Sequence, residues 1–395
     1  MKNRVAVKCA LILTLVAGAA DAADEKKESP EYVGSDACQN CHAEEYNAWK
    51  TSRHADASNT GTENPAWTQT GIGCEACHGP GSEHVSGQGD TSKIVSIVDA
   101  DICGQCHSST QSGEDGWIRG FRPGMRLSAM EGVQLISVDP DKLPPQPDAN
   151  QRLTYNMWLA SGHSKSLSRV MNNSRASADC YGCHSAEGFA AKQQAKSLDM
   201  AQKETFHSIT CVVCHEPHGS ENIDQLAMEP EKLCGSCHSQ RAVLEGKGAR
   251  GVEMTRSFHS AVECYSCHMT EGNHLMKVLR PDDPNLPESR TDTCTACHSD
   301  NNREARAKQL PDWQAWYEET MDPIQADLNT IDAALKENPD LLNDALEAKL
   351  KDVRGNLAII IRDRSRGAHN LDYALEIMAL AASDLKEIKA VVSSQ

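Results

Sequence analysis

The chain has 395 residues, room for two or three ordinary domains. Only 39% of them are hydrophobic and 4% aromatic, too few large side chains to fill cores of that extent, so something else must fill the interior. A formal net charge of -17 argues against nucleic acid or any other polyanion as a partner.

Lys2, Arg4 and Lys8 precede an apolar run from Ala10 to Ala17, followed by Ala20-Asp21-Ala22, the small-x-small pattern of a signal peptidase site. Residues 1–22 are therefore expected to be a cleaved secretory signal. The run is too short for a retained anchor, and no later stretch approaches the ~20 apolar residues of a membrane span. Cys9 stands before the apolar run and is not placed for lipid attachment. The mature protein is expected to be periplasmic or extracellular.

From residue 38 onward the chain is organised by one pentapeptide, C-x-x-C-H. It occurs at Cys38, Cys41 and His42; at Cys74, Cys77 and His78; and at Cys103, Cys106 and His107. It returns at Cys180, Cys183 and His184; at Cys211, Cys214 and His215; and at Cys234, Cys237 and His238. The last two are Cys264, Cys267 and His268, and Cys294, Cys297 and His298. In this motif two thiols add across the vinyl groups of a porphyrin and the adjacent imidazole binds its iron. Paired C-x-x-C units also suit structural zinc, and exported chains form disulfides, but neither explains a histidine after the second cysteine in eight cases of eight. Eight covalent c-type haems are expected, supplying the interior that the side chains do not.

Eight histidines lie outside the motifs: His54, His84, His163, His207, His218, His259, His274 and His369. Their number equals that of the distal iron positions, which predicts bis-histidine iron throughout and no free site for a substrate. His218 follows His215 by three residues, a reach of at most ~10 Å. That is too short to pass around a macrocycle, so His218 is expected to bind a neighbouring haem. The same reasoning applies with less force to His84 and His274, each six residues beyond a motif histidine, and His207 and His259 are placed to cross over as well.

Tyr46-Asn47-Ala48-Trp49 with Ser52 and His54 recurs 109 residues later as Tyr155-Asn156-Met157-Trp158 with Ser161 and His163. Trp49 and Trp158 are expected to pack on porphyrin; two similar amphipathic helices would give the same pattern. The expected organisation is a three-haem module at 23–107, a loop-rich linker at 108–150, a five-haem module at 151–300 and a helical tail at 301–395. In the tail, Asp322-Pro323 reads as a helix start and Asn338-Pro339 as its end. Leu342 to Ile361 and Leu371 to Val391 mark two more helices, with His369 between them. Arg362, Arg364 and Arg366 either pair with haem propionates or complement a helix dipole. The fold class is mainly α with extensive coil, a multihaem cytochrome c built around stacked haems and closed by an antiparallel helical bundle.

Tyr32 to Cys38 through Trp49 and His54, and Gly73 to His84, resemble the cytochrome c-554 family. The motif order is similar to octahaem hydroxylamine oxidoreductases, and the end of the chain to pentahaem nitrite reductases. Bis-histidine iron throughout predicts electron transfer, with redox protein partners of the quinol dehydrogenase or terminal reductase type. The last two resemblances imply an oxidoreductase acting on a small nitrogen or sulfur compound at one open haem, the fourth, with Lys192 or Tyr181 lining its pocket. No C-x-x-C-K is present, and the setting of Tyr373 does not match the cross-linking tyrosine of the hydroxylamine oxidoreductases. The histidine count favours the electron carrier. A homo-oligomer or a filament is compatible with it.

Overall fold

The computed structural model describes residues 30–56, 67–68, 71–96, 99–112, 118–146, 152–298 and 302–394. The predicted signal segment, Cys9, and linker residues 113–117 and 147–150 lie outside the described residues. Among the described residues the structure is helical with long coil segments, and its one sheet is an antiparallel pair of two-residue strands, Trp67–Thr68 and Gly71–Ile72. No described helix is long and apolar enough to cross a membrane.

The motif region forms short helices that begin near the first cysteine of a motif and end at its histidine, as in Cys74–His78, Ala178–His184 and Cys264–His268. Large side chains are scarce here, and the apolar clusters are small: Ile102, Ile118, Phe121, Leu127 and Tyr155 form one, and Phe189, Ile209, Val213 and Leu233 another. The predicted linker is loop-rich but firmly held. Ile118, Phe121 and Leu127 are buried within it, Lys277 Nζ donates to the carbonyls of Asp141 and Lys142 at 2.8 Å each, and buried Arg290 donates to Pro144 O at 2.7 Å.

The extended core lies in the tail. Three helices, Arg303–Glu337, Asp344–Asp363 and Leu371–Val392, bury Ile324, Leu328 and Ile331; Leu350, Val353 and Ile360; and Ile377, Met378, Leu385 and Ile388. The first helix starts twenty residues before the predicted start. Asn302, not Asp322, caps it, Oδ1 accepting from Ala305 N at 2.9 Å, and Pro311 and Pro323 lie inside. Each internal proline removes a backbone hydrogen bond. The amphipathic face through Gln314, Tyr317 and Ile324 continues across that loss and is buried by the other two helices.

The bundle also grips the loop between the sixth and seventh motifs. Tyr373 Oη accepts from Ala249 N at 2.9 Å, Asn370 Nδ2 donates to Val243 O at 3.0 Å and Thr255 O at 2.6 Å, and Asn356 exchanges two hydrogen bonds with Arg250. Gly246 lies there at φ 66° with Thr255 so close that a Cβ would fall 2.2 Å from its carbonyl oxygen, so only glycine fits. The tail therefore positions two histidines, His369 directly and His259 through the loop.

Candidate haem-binding site

A continuous cavity of about 2360 Å³ runs through the motif region, lined by residues of the first seven C-x-x-C-H motifs. The eighth motif stands outside it, set by Asp292, whose fully buried carboxylate accepts from Cys294 N and Thr295 N at 2.9 Å each.

The thiols trace how the motifs follow one another. Cys38 and Cys74, Cys103 and Cys211, Cys234 and Cys264, and Cys183 and Cys237 lie close enough for their thiols to perturb one another. Cys77 lies within electrostatic reach of Cys103 and Cys106, Cys214 of Cys237, and Cys267 of Cys297. The resulting order is first, second, third, fifth, sixth, seventh, eighth, with the fourth attached to the sixth.

The internal repeat is a repeat of this pairing. Tyr46 Oη donates to Asp36 Oδ1 at 2.7 Å and Trp49 Nε1 to Ile72 O at 2.8 Å; Tyr155 Oη donates to Asp101 Oδ1 at 2.7 Å and Trp158 Nε1 to Ile209 O at 2.9 Å. In each copy the tyrosine holds the residue two before one motif, and the tryptophan holds the residue two before the motif paired with it. The third motif, grouped by sequence with the first two, packs under the second copy of the repeat.

Residues between the motif cysteines add a further layer that sequence reasoning missed. Glu75, 3% exposed, accepts from Val33 N at 2.9 Å, Gly34 N at 2.7 Å and Gly81 N at 2.8 Å, tying the approach to the first motif onto the second. Gln105 Nε2 donates to Ala76 O at 3.1 Å and ties the third motif to the second. A glutamate at a variable motif position carries no sign of this role in the sequence. Glu75→Ala strands three backbone donors and is expected to destabilise the haem-loaded protein by about 3 kcal/mol, read as a lowered melting temperature.

Seven histidines from outside the motifs stand ring to ring with motif histidines. The ring centroids are 6.2 Å apart for His84 and His42, 6.3 Å for His54 and His107, 6.1 Å for His218 and His78, and 6.0 Å for His163 and His238. They are 6.3 Å for His274 and His215, 6.1 Å for His259 and His298, and 6.2 Å for His369 and His268. Two imidazoles on opposite sides of one metal, each at an N–metal distance of about 2.0–2.1 Å, place their centroids roughly 6 Å apart. The residues present thus fit haem iron held between them. Six of the pairs join two different motif neighbourhoods, and the seventh joins His268 to His369 of the tail; His218 faces His78, a motif other than its own. Burial holds His107 and His163 at about 4, so both rings are neutral at pH 7 with a lone pair to donate.

His207 is the exception. Its Nδ1 lies 2.6 Å from Glu187 Oε1, its backbone N donates to Glu187 Oε2 at 2.8 Å, its Nε2 is 4.0 Å from Asp99, and it does not line the cavity. Among the described residues no second imidazole is paired with His184, which lines the cavity and has its Nδ1 3.0 Å from Ser166 O. The expected supply of one distal histidine per iron therefore falls one short at the fourth motif, because the Glu187 carboxylate fixes His207 elsewhere. Its helix is tightly placed: a Cβ on Gly188 would meet Tyr181 O at 2.3 Å.

Other suggested pocket residues also lie apart from the cavity. Tyr181 is buried against the Phe206 ring at 5.9 Å, and Lys192 Nζ donates to Ser236 O at 2.8 Å. Arg366 is engaged by Glu318 and Gln314, and neither Arg362 nor Arg364 lines the cavity; its arginines are Arg53, Arg152 and Arg169. Tyr373 is a packing residue of the tail.

A family model described as cytochrome c554 and c-prime matches residues 37–70 and 151–216, the two copies of the repeat, and a doubled CXXCH motif model matches 204–243. No curated protein sequence matches. The fold is similar to the crystal structure of the outer cell wall cytochrome OcwA, at 22% identity and a TM-score of 0.73, over 90% of this chain and 99% of that one. It is also similar to an undecahaem cytochrome from the S-layer of Carboxydothermus ferrireducens, at 25% identity and a TM-score of 0.51, over 81% of this chain and 51% of that one. With its repeated C-x-x-C-H motifs around one cavity, the chain is a multihaem c-type cytochrome.

Proposed function

We propose that the chain is an exported eight-haem cytochrome that transfers electrons through seven bis-histidine sites. The observation that carries this reading is the set of seven histidine pairs at 6.0–6.3 Å. Haem supplies a one-electron couple at each motif, and a pair of imidazoles keeps the iron six-coordinate in both states, which favours transfer over binding. The thiol contacts between successive motifs support a continuous path from the first to the eighth, whose cysteines Cys41 and Cys297 are exposed at its two ends. Redox proteins of the quinol dehydrogenase or terminal reductase type suit those ends as donor and acceptor. The signal-like first 22 residues and the cell-wall origin in the name of OcwA support a site of action outside the cytoplasm.

A second activity is supported at the fourth motif. With no imidazole paired with His184 and the motif joined to the sixth through Cys183 and Cys237, this site suits a small nitrogen or sulfur compound reduced or oxidised by electrons from the path. Electron paramagnetic resonance of the ferric protein tests both activities at once. The expected spectrum is low-spin for seven haems with a high-spin signal integrating to one in eight, and cyanide or nitrite should abolish that signal. A wholly low-spin spectrum removes the second activity. Several high-spin haems overturn the first.

A further inference from the structure

The seven histidines opposite motif histidines differ in what their second ring nitrogen meets. In His54, His84 and His274, Nδ1 lies 3.3 Å from Pro217 O, 2.9 Å from Asp90 O and 2.8 Å from Gly272 O, all neutral carbonyls. His218 and His369 instead meet carboxylates, Glu216 Oε1 at 2.8 Å and Asp363 Oδ1 at 2.6 Å. Both carboxylates are held in place. Glu216 Oε1 also accepts from His218 N at 3.2 Å, and Asp363 Oδ2 accepts from Ser365 Oγ and from Ser365 N. The Asp363 side chain is 3% exposed, while that of Glu216 is 44% exposed.

We infer that Glu216 and Asp363 set the reduction potentials of the second and seventh haems below those of the haems whose distal histidines meet carbonyls. This rests on the reading of His218 and His369 as iron ligands. A carboxylate accepting the Nδ1 proton raises the basicity of the imidazole, and a more basic imidazole stabilises ferric over ferrous iron. The effect is stronger where the carboxylate is shielded from water, so Asp363 acts more strongly than Glu216. Both are positioning residues that act through a ligand.

The consequence follows from the order of the motifs. The second and seventh sites each lie one step from an end of the path, with the third, fifth and sixth between them and the fourth branching from the sixth. Two low-potential haems bracketing this group make it an electron reservoir beside the fourth site. Such a store suits a reaction that consumes several electrons in succession.

Spectroelectrochemical titration of the haem-loaded protein and of Asp363→Asn, Glu216→Gln and Glu187→Gln tests the inference. Asn and Gln keep the size and an acceptor oxygen but lose the charge. Asp363→Asn, with its low-spin spectrum retained, should raise one midpoint by at least about 59 mV, a tenfold change in the one-electron equilibrium, and Glu216→Gln should raise a different one by less. Glu187→Gln, whose partner His207 faces no motif histidine, should move none. Unchanged midpoints in both Asp363→Asn and Glu216→Gln overturn the inference. His369→Gly separates its failure from that of the ligand reading. If that variant gains a high-spin haem while Asp363→Asn moves nothing, the inference alone fails; if it gains none, His369 is not a ligand.

Discussion

Replacing His207 with alanine is expected to leave the ferric spectrum unchanged, with one high-spin haem in eight, whereas His369→Gly should add a second high-spin haem. The two histidines look equivalent in the sequence, since both lie outside the motifs and both complete the count of eight. The structure separates them. His369 stands 6.2 Å from His268 across the cavity, so under the proposed ligation its loss frees an iron position. His207 is bound by Glu187 at 2.6 Å and faces Asp99, so its loss costs a partly exposed ion pair, about 1 kcal/mol or less, and no ligand. Quantified paramagnetic resonance of both variants reads the result. A new high-spin haem in His207→Ala would make it a distal ligand after all and restore a fully six-coordinate carrier. The same comparison extends to His54, His84, His163, His218, His259 and His274, each of which should add one high-spin haem on removal.

What could be read in advance divides by the range of the interaction involved. The eight C-x-x-C-H motifs are fully legible because each is complete within five consecutive residues, as at Cys38 to His42. The identity of each distal partner was mostly illegible, because His54 reaches His107 and His163 reaches His238 through the fold and not along the chain. His218 was the exception, where a three-residue reach alone excluded its own motif. Supply matching demand misled at His207: a count cannot register that Glu187, twenty residues away, holds the ring. The start of the first tail helix was misplaced for a related reason. Asp322-Pro323 has the local form of a start, but burial of Tyr317 and Ile324 on one continuous face outweighs the single hydrogen bond each proline removes.

Truncating Ile377 to alanine in the last tail helix is expected to weaken the seventh haem site from a distance. Ile377 is 0% exposed in the bundle core, and removing three buried carbons from such a position costs about 2–5 kcal/mol. The bundle should then melt at a temperature lower by on the order of 10 °C. His369 stands two residues before this helix, and Asn370 between them caps it, Oδ1 accepting from Tyr373 N at 3.2 Å while Nδ2 holds the loop that carries His259. Loss of the helix therefore releases His369 from His268 and loosens His259 beside His298. A high-spin haem should emerge on heating together with the helical melting transition, and both should shift equally in Ile377→Ala. Trp316→Ala, 56% exposed on the first tail helix, supplies the contrast and should move neither by more than about 0.5 kcal/mol. If the helical signal falls in Ile377→Ala while the seventh haem stays low-spin to the parental temperature, the tail does not hold that ligand, and His369 must be fixed by Asp363 and Ser365 alone.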